Sequence, residues 1–412
     1  LDTARLNPNR KNIADINEKQ GIPRGWKQVR FKECIEIANG QVDPKVEPYC
    51  NMKHIGLENI EKFTGRLLFT KLAKDENLTS GKYFFNKGDV LYGKIRPELS
   101  KVYLAEFEGI CSADIYPIRP KKDIVGNYLK FLLLDHRFFR YAVSVSTRTG
   151  LPKINRDDLG GFKIHVPPIR EQQKIASILS TWDKAIELKE KLIEQKKKRK
   201  KGLMQRLLTG KVRLPGFKEE WIKLKVKDLI REVNHRTTQN NQYEILSVTK
   251  NGIVPQREQF NKQIASGNNT GYKIVRRYNL VFSTMNLWMG SLDVLTTHDI
   301  GIVSPAYKVF KFIEQNITPL YSKYFMISDH MIRVYKMNSE QGASIVRRNL
   351  DIDGLLSTIV SIPPLEEQLE ISKVLQISDK ELALLNSQLE ALKQQKKGLM
   401  QILLTGKVRV KC

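Results

Sequence analysis

The sequence predicts an α/β (α+β) fold class. Two globular parts alternate with two long helices, which pair as an antiparallel coiled coil in a pseudo-two-fold internal repeat. Three observations predict it. The first is the repeat itself: Pro167-Pro168-Ile169-Arg170-Glu171-Gln172 returns as Pro363-Pro364-Leu365-Glu366-Glu367-Gln368. The tail Leu207-Leu208-Thr209-Gly210-Lys211-Val212-Arg213 returns unchanged as Leu403-Leu404-Thr405-Gly406-Lys407-Val408-Arg409. The offset is always 196 positions, and 24 of the 47 positions from Pro167 to Arg213 are identical, so the period is far too long for a solenoid unit. The second observation is a heptad seam inside the repeated segment, and the third is a matching order of β-like runs before each copy. Two whole modules follow one another in this chain.

The helices come first. In the second copy Ile371, Leu375, Ser378, Leu382, Leu385, Leu389 and Leu392 step by four and three, an a/d seam. The equivalent positions of the first copy are Ile175, Leu179, Trp182, Ile186, Lys189, Ile193 and Lys196, apolar until Lys189 and mixed beyond it. Each segment opens after a Pro-Pro pair, which suits a helix start, and closes near Thr-Gly, where glycine stops a helix. About 35 residues at 1.5 Å rise make a rod of roughly 50 Å. Matching seams pair most simply with each other; the alternative is that each rod packs on its own globular part.

The globular parts are expected over residues 21–166 and 211–362, with an extension at 1–20 and helical regions at 167–210 and 363–412. Each opens on a tryptophan and an alternating run, Trp26-Lys27-Gln28-Val29-Arg30-Phe31 and Trp221-Ile222-Lys223-Leu224-Lys225-Val226. Short β-like runs follow in both, Asp89-Val90-Leu91-Tyr92 matching Asn279-Leu280-Val281-Phe282. One amphipathic helix is expected in each, around 125–143 and 319–337, the second capped by Thr318 with Pro319 behind it. Both parts close on a strand running into the Pro-Pro pair. The rods repeat at about half identity and the globular parts hardly at all, which implies one fold with two different ligands.

Composition narrows the ligand. Lys and Arg number 70 against 44 Asp and Glu, a formal charge of +26, which points to a polyanion, nucleic acid or an anionic membrane. No stretch nears 18 uninterrupted apolar residues; the apolar knot Phe131-Leu132-Leu133-Leu134 is stopped by Asp135-His136-Arg137. No signal peptide opens the sequence, and without an initiator Met some N-terminal residues are expected to have been processed or lost. Cys34, Cys50, Cys111 and Cys412 are scattered, the pattern of reduced cytoplasmic thiols and not of a disulfide frame or zinc site.

The arrangement resembles the DNA-specificity subunit of type I restriction–modification systems, over nearly the whole chain. The residues that carry the likeness are Gly150-Leu151-Pro152-Lys153-Ile154, then Val166-Pro167-Pro168-Ile169-Arg170-Glu171-Gln172-Gln173-Lys174-Ile175-Ala176, the Leu-Leu-Thr-Gly-Lys-Val-Arg tails and the Trp-led starts. In that family two target-recognition domains alternate with two helical regions. The second module departs from the pattern, with Gly342-Ala343-Ser344-Ile345-Val346-Arg347 where the first has Gly150-Leu151-Pro152-Lys153.

Catalytic apparatus is not legible. Gly88-Asp89-Val90-Leu91-Tyr92-Gly93-Lys94-Ile95 mimics a phosphate loop up to the lysine, but Ile95 replaces the hydroxyl that would meet magnesium and Pro97 sits in the expected helix. Asn7-Pro8-Asn9-Arg10 falls short of an amino-methyltransferase motif, having neither a second proline nor an aromatic. The histidines never fall at metal-ligand spacing, so neither catalytic residues nor a metal site are expected. Asp157-Asp158 reads as a solvated loop.

DNA readout needs phosphate clamps and side chains that offer paired donors to base edges. In the first module two basic loops qualify, one with Lys94 and Arg96, the other with Thr147, Arg148, Thr149, Lys153 and Asn155. In the second, Asn286 and Trp288 take the place of the first loop, and Ser344, Arg347, Arg348 and Asn349 that of the second. An exposed Trp288 would stack on or wedge a base step; a core indole is the alternative. The run Lys196-Lys197-Lys198-Arg199-Lys200-Lys201 would face DNA phosphate, an acidic partner surface or plain solvent.

The resemblance implies a non-catalytic, cytoplasmic subunit that reads a bipartite asymmetric target in double-stranded DNA. It implies that the rods dock two methyltransferase subunits, and restriction/translocase subunits in the full complex, with no membrane partner. The residues expected at that docking surface are Gln172, Ile175, Leu179, Trp182, Ile186, Gln368, Ile371, Leu375, Leu382, Leu385 and Leu389. No cofactor is expected in this chain; S-adenosylmethionine belongs to the partner that flips and methylates an adenine. Two rivals stand beside this reading: the specificity subunit of a type II system with a fused methylase–nuclease, and a coiled-coil scaffold without DNA readout, which leaves the charge unexplained.

Overall fold

The structure, a computed structural model, describes residues 16–17, 22–146, 151–249, 252–259, 267–285, 287–341 and 348–411. It divides into two compact units, Leu1–Glu190 with Ser387–Cys412, and Lys191–Asn386. The division falls inside both long helices, so each unit contains a piece of each.

In the first unit β1 (Lys27–Arg30) pairs antiparallel with β6 (Lys163–Val166), tying the start of the module to the strand that enters the first Pro-Pro pair. A four-stranded antiparallel sheet follows in the order β2 (Ile35–Ile37), β5 (Ile115–Pro120), β3 (Val90–Gly93), β4 (Val102–Leu104). β3 is buried along its whole length, as its apolar run Val-Leu-Tyr-Gly requires of a central strand. A second small sheet contains a parallel pair, Lys53–Ile55 with Gly109–Cys111. In the second unit β7 (Ile222–Lys225) pairs with β12 (Ile359–Ile362). Its four-stranded sheet runs β8 (Ile230–Glu232), β11 (Tyr307–Phe312), β9 (Leu280–Ser283), β10 (Leu292–Val294). The two strand orders are the same, so sequences with little identity encode one fold.

The single amphipathic helix expected in each module is instead two. In the first unit α1 (Gly126–Leu134) stops at Asp135, whose extended backbone and carboxylate, accepting from Arg137 N at 2.7 Å, start α2 (His136–Ser146). In the second, α5 (Pro319–Met326) gives way to α6 (Asp329–Met337) at Ser328, whose side chain accepts from Met331 N. Asp and Ser are favoured at helix N-caps because their short oxygens satisfy an orphan amide, and the apolar period runs through both breaks. Asp157-Asp158 likewise lies in the first turn of a short helix, α3 (Arg156–Gly161), and not in a loop; its counterpart is α7 (Ile352–Ser357).

The long helices are α4 (Ile169–Leu207) and α8 (Leu365–Leu403), 39 residues each, about 58 Å at 1.5 Å per residue. Both close on a left-handed glycine, Gly210 (φ 69°) and Gly406 (φ 70°). At Gly406 an added Cβ would also run into the Pro23 ring. Within the first unit Glu190 meets Lys393 at 3.2 Å, Lys189 meets Gln388 at 3.0 Å, and Asp183 is bonded to Lys396. Within the second, Lys196 pairs with Glu381 and Lys200 with Asp379. Numbers rise on one helix as they fall on the other, so the helical segments pair antiparallel in each unit. The ends also pack on the modules. Ile175 and Leu179 of α4, with Leu403 at the end of α8 and Leu404 just after it, complete the core around Phe31, Tyr92 and Phe138. Ile371 and Leu375 of α8, with Leu207 at the end of α4 and Leu208 just after it, complete the core around Phe282, Phe310 and Phe325. Both expectations for the rods therefore hold at once, because burying each leucine contributes about 1.5–3 kcal/mol and neither face is spared.

Cys34, Cys50 and Cys111 are free thiols; burial pushes the Cys34 and Cys111 pKa values up. Among the described residues no helix is long and apolar enough to cross a membrane, and no group of three or more His, Cys, Asp and Glu residues is placed to hold a metal ion.

Candidate nucleic-acid interface

In the first module the two basic loops are one structure. β3 runs directly into Lys94, whose backbone N donates to Asp114 O at 2.9 Å and whose O accepts from Ile154 N at 2.9 Å. Arg96 N donates to Pro152 O at 2.8 Å, and Ile95 bridges Lys153 antiparallel. Arg96, exposed, takes a left-handed backbone (φ 48°) before the turn Pro97–Leu99, an uncommon conformation for an arginine. Arg96 and Lys153 are exposed; Lys94 is half-buried with Nζ 5.4 Å from the Tyr116 ring centroid. Thr147, Arg148 and Thr149 lie outside the described residues.

Two side chains around these loops have roles the sequence did not reveal. Arg156 lies 5.1 Å from the Tyr116 centroid and donates to Ile37 O and Ala38 O at 3.1 and 2.8 Å, so it anchors the loop to the sheet. Asn155, expected to meet a base edge, is the N-cap of α3: its Oδ1 accepts from Asp158 N at 2.7 Å and its Nδ2 donates to Asp158 Oδ2 at 2.8 Å. The cap takes one N–H and one lone pair of this exposed amide, a structural role that the expectation of a base contact did not include. The signal was present in the spacing Asn155-Arg156-Asp157-Asp158, a cap with acid behind it.

In the second module the two loops also meet. β9 ends at Ser283, and a short turn, Leu287–Met289, follows. The Arg348 guanidinium lies over the Trp288 indole, 4.9 Å from its ring centroid. Arg348 begins a strand, Arg348–Leu350, that pairs antiparallel with Ser339–Gln341. Trp288 is half-buried and one face is covered by Arg348, which corrects the expectation of an exposed stacking indole. Its Nε1 and Arg348 Nε are buried donors without an acceptor among the described residues, and buried polar groups are normally bonded. Asn349 is exposed; Asn286, Ser344 and Arg347 lie outside the described residues.

The helical residues expected to dock partners are mostly internal. Gln172 is fully buried: Oε1 accepts from Val125 N at 2.8 Å, and Nε2 donates to Asp123 O and Pro167 O, both at 2.9 Å. Gln368 repeats this with Thr318 N, Asn316 O and Pro363 O. Each glutamine clamps its module to the helix and offers a separate subunit nothing, which corrects that expectation. Ile175, Leu179, Ile371 and Leu375 are likewise sealed in the cores, and Ile186, Leu385 and Leu389 are buried. Trp182 and Leu382 are half-buried. The large exposed apolar residues lie off the seam: Leu365, Leu369, Ile377 and Leu384 on α8, Ile169 and Leu188 on α4. A heptad reading selects the inward face, so it could not find them.

Part of the basic run is neutralised within its own unit. Lys196, Lys200 and Lys201 pair with Glu381, Asp379 and Asp329, and Lys198 with Glu194. The acidic side chains that meet these four residues belong to this chain and not to a partner, and the Lys198–Glu194 pair is an exposed i,i+4 pair along one helix.

A family profile for the type I restriction modification DNA specificity domain matches residues 23–197. The EcoDI type I restriction enzyme specificity subunit of Escherichia coli is 37% identical over 158 residues, 38% of this chain and 35% of that protein. The MjaVIII specificity subunit of Methanocaldococcus jannaschii is 24% identical over 421 residues, 95% of this chain and 94% of that protein. Among solved structures, a chain from a study of complex assembly and conformational transition of the type I R-M system aligns with a TM-score of 0.63 at 16% identity, over 94% of this chain and 99% of that one. With the strand order, the doubled module and the paired helices in place, residues 23–197 match the type I restriction modification DNA specificity domain, and the chain as a whole is similar to type I specificity subunits.

Proposed function

We propose that the chain reads a bipartite DNA target without catalysing a reaction on it, one block per module. The observation that carries this is the pair of identical strand orders that support two unrelated basic loop pairs, Lys94–Arg96 with Lys153 in one and Trp288 with Arg348 in the other. A shared scaffold with unlike loops suits two half-sites of different sequence, and the net charge of +26 supplies sequence-independent attraction to phosphate. Two methyltransferase subunits dock the helices, on the exposed apolar residues of α8 and α4 in place of the seam, and restriction/translocase subunits join in the full complex. S-adenosylmethionine is held by the methyltransferase, and the assembly works in the cytoplasm.

The loops supply the test. Arg148→Ala with Lys153→Ala should damage recognition of one block, and Arg347→Ala with Arg348→Ala the other. Each base-edge interaction removed should reduce discrimination by about 1–3 kcal/mol. Binding of the chain with its methyltransferase partner to duplexes altered in either block is the measurement. Equal weakening on every duplex would make these residues phosphate clamps, and methylation by the purified chain alone would overturn the non-catalytic reading.

A further inference from the structure

We propose that the second module carries a phosphate-binding pocket at the end of its sheet opposite the candidate reading loop, and that the first module has cancelled the same site. Equivalent positions in the two modules carry different charges. In the first unit β2 and β5 place Glu36 directly opposite Arg119, and the two form an ion pair at 3.8 Å, with Asp89 also 3.5 Å from Arg119. In the second unit β8 and β11 place Arg231 opposite Lys311, and Asn279 stands where Asp89 stood. Hydrogen bonds fix the correspondence. Asp89 Oδ2 accepts from Asn86 N at 2.9 Å, and Asn279 Oδ1 accepts from Arg276 N at 2.9 Å. Asp89 O accepts from Ala105 N, and Asn279 O from Leu295 N. Two carboxylates around one cation have become a cation and an amide around another.

Like charges directly opposite each other on an antiparallel pair are destabilising. Among the described residues neither Arg231 nor Lys311 forms an ion pair with a carboxylate, so no such pair offsets their repulsion there. Both line a cavity of about 440 Å³ together with Arg277, Tyr278, Asn279 and the single carboxylate Glu314. Arg277 is oriented there by Asp299 Oδ1 at 2.7 Å and Thr296 O at 2.9 Å. Asn279 spends Oδ1 on the turn, which leaves Nδ2 as a donor. Tyr278 holds φ 66° at the position where the first module has Gly88 at φ 95°, a left-handed conformation that strains a tyrosine and not a glycine. A tetrahedral phosphate offers acceptors to several cations and an amide at once, and it relieves the repulsion between Arg231 and Lys311. β9 begins beside Asn279 and ends at Ser283, so the pocket and the candidate reading loop lie at opposite ends of one strand. The phosphate comes either from a DNA backbone flanking the block that this module reads or from a free phosphate anion; only the first source rests on the DNA-binding reading.

The experiment compares thermal unfolding of the full chain in inorganic phosphate and in chloride at matched ionic strength, for wild type and Arg231→Glu. That substitution recreates the opposite-charge register of the first module and is therefore compatible with the sheet. Wild type should show a saturable rise in Tm with phosphate beyond that in chloride. Arg231→Glu should start higher without phosphate and lose the extra rise. Lys311→Gln, which removes one charge without adding another, gives the same readout should the reversal disturb folding. Duplex binding then separates the sources: a salt slope smaller by about one in the variant assigns a DNA backbone phosphate, and an unchanged slope assigns a free phosphate. A wild type stabilised no more by phosphate than by chloride, or variants that keep the response, would overturn the site.

Discussion

Glu171 and Glu367 show what a repeat reveals about single residues and what it hides. Glu171, buried, accepts from Arg409 Nε and Nη2 at 2.6 and 2.7 Å and from Trp26 Nε1 at 3.1 Å. Glu367 does the same with Arg213, at 2.6 Å for both bonds, and with Trp221 at 3.2 Å. All six residues stand out in the sequence, as repeated motif, repeated tail and Trp-led start. Their convergence was not legible, because a repeat gives the identity of equivalent positions and says nothing about which of them meet. The described parts of the candidate loops do follow strand ends, but the sequence did not show Asn155 as a cap or Trp288 as a shelf for Arg348, since both uses depend on backbone direction. Bidentate, charge-assisted bonds to a buried carboxylate are the strong kind. Glu171→Gln keeps the shape and an acceptor for Trp26 but loses the charged fork, and should destabilise the first unit by about 1–3 kcal/mol. Glu367→Gln should act alike on the second. Denaturant unfolding of the two variants measures this, and a midpoint unmoved in both would show that the forks contribute nothing.

The elements divide by how their signal is written. α4 and α8 were legible because period, start and stop agree: seam, Pro-Pro pair and Thr-Gly end. The break between α1 and α2 was not, because Asp135 interrupts the backbone without interrupting the apolar pattern. Charges on the long helices were legible as a run but not as pairs. Glu190 on α4 illustrates the consequence. Burial alone would raise its pKa, but hydrogen bonds from Arg66 and Lys393 and their charges hold it below the ordinary glutamate value of 4.5. A carboxylate depressed in the folded state contributes stability that is fully present above its unfolded pKa and lost as pH falls through the folded value. The ion pairs of Glu190 should therefore support the first unit at neutral pH and fade in acid. Glu190→Gln should lower stability near neutrality while flattening the acid limb of the stability–pH curve. Parallel curves for wild type and variant would show that the group plays no part in acid sensitivity.

At the scale of the molecule, the repeat makes each unit depend on sequence from the other half of the chain. The first unit needs Ser387–Cys412, which brings Leu403 and Leu404 to its core and Arg409 to Glu171. The second needs the end of α4, with Leu207, Leu208 and Arg213 in the equivalent roles. A fragment of residues 21–213 keeps the first module and all of α4 but lacks the segment that closes its core. It does carry the same Leu-Leu-Thr-Gly-Lys-Val-Arg tail, at the far end of a continuous 39-residue helix that cannot turn back on its own module. A second copy of the fragment can supply it. We therefore expect the fragment to be loosely folded when dilute and to gain stability as it self-associates, with a Tm that rises with concentration. Leu208→Ala should weaken that association, because a buried leucine truncated to alanine costs about 2–5 kcal/mol and each copy would carry the defect. In the full chain the same substitution should instead lower the stability of the second unit, whose core holds Leu208, and leave the core of the first intact. Sedimentation and thermal unfolding across a concentration series decide the matter: a fragment that is monomeric, stable and indifferent to concentration would mean that the tail completes nothing.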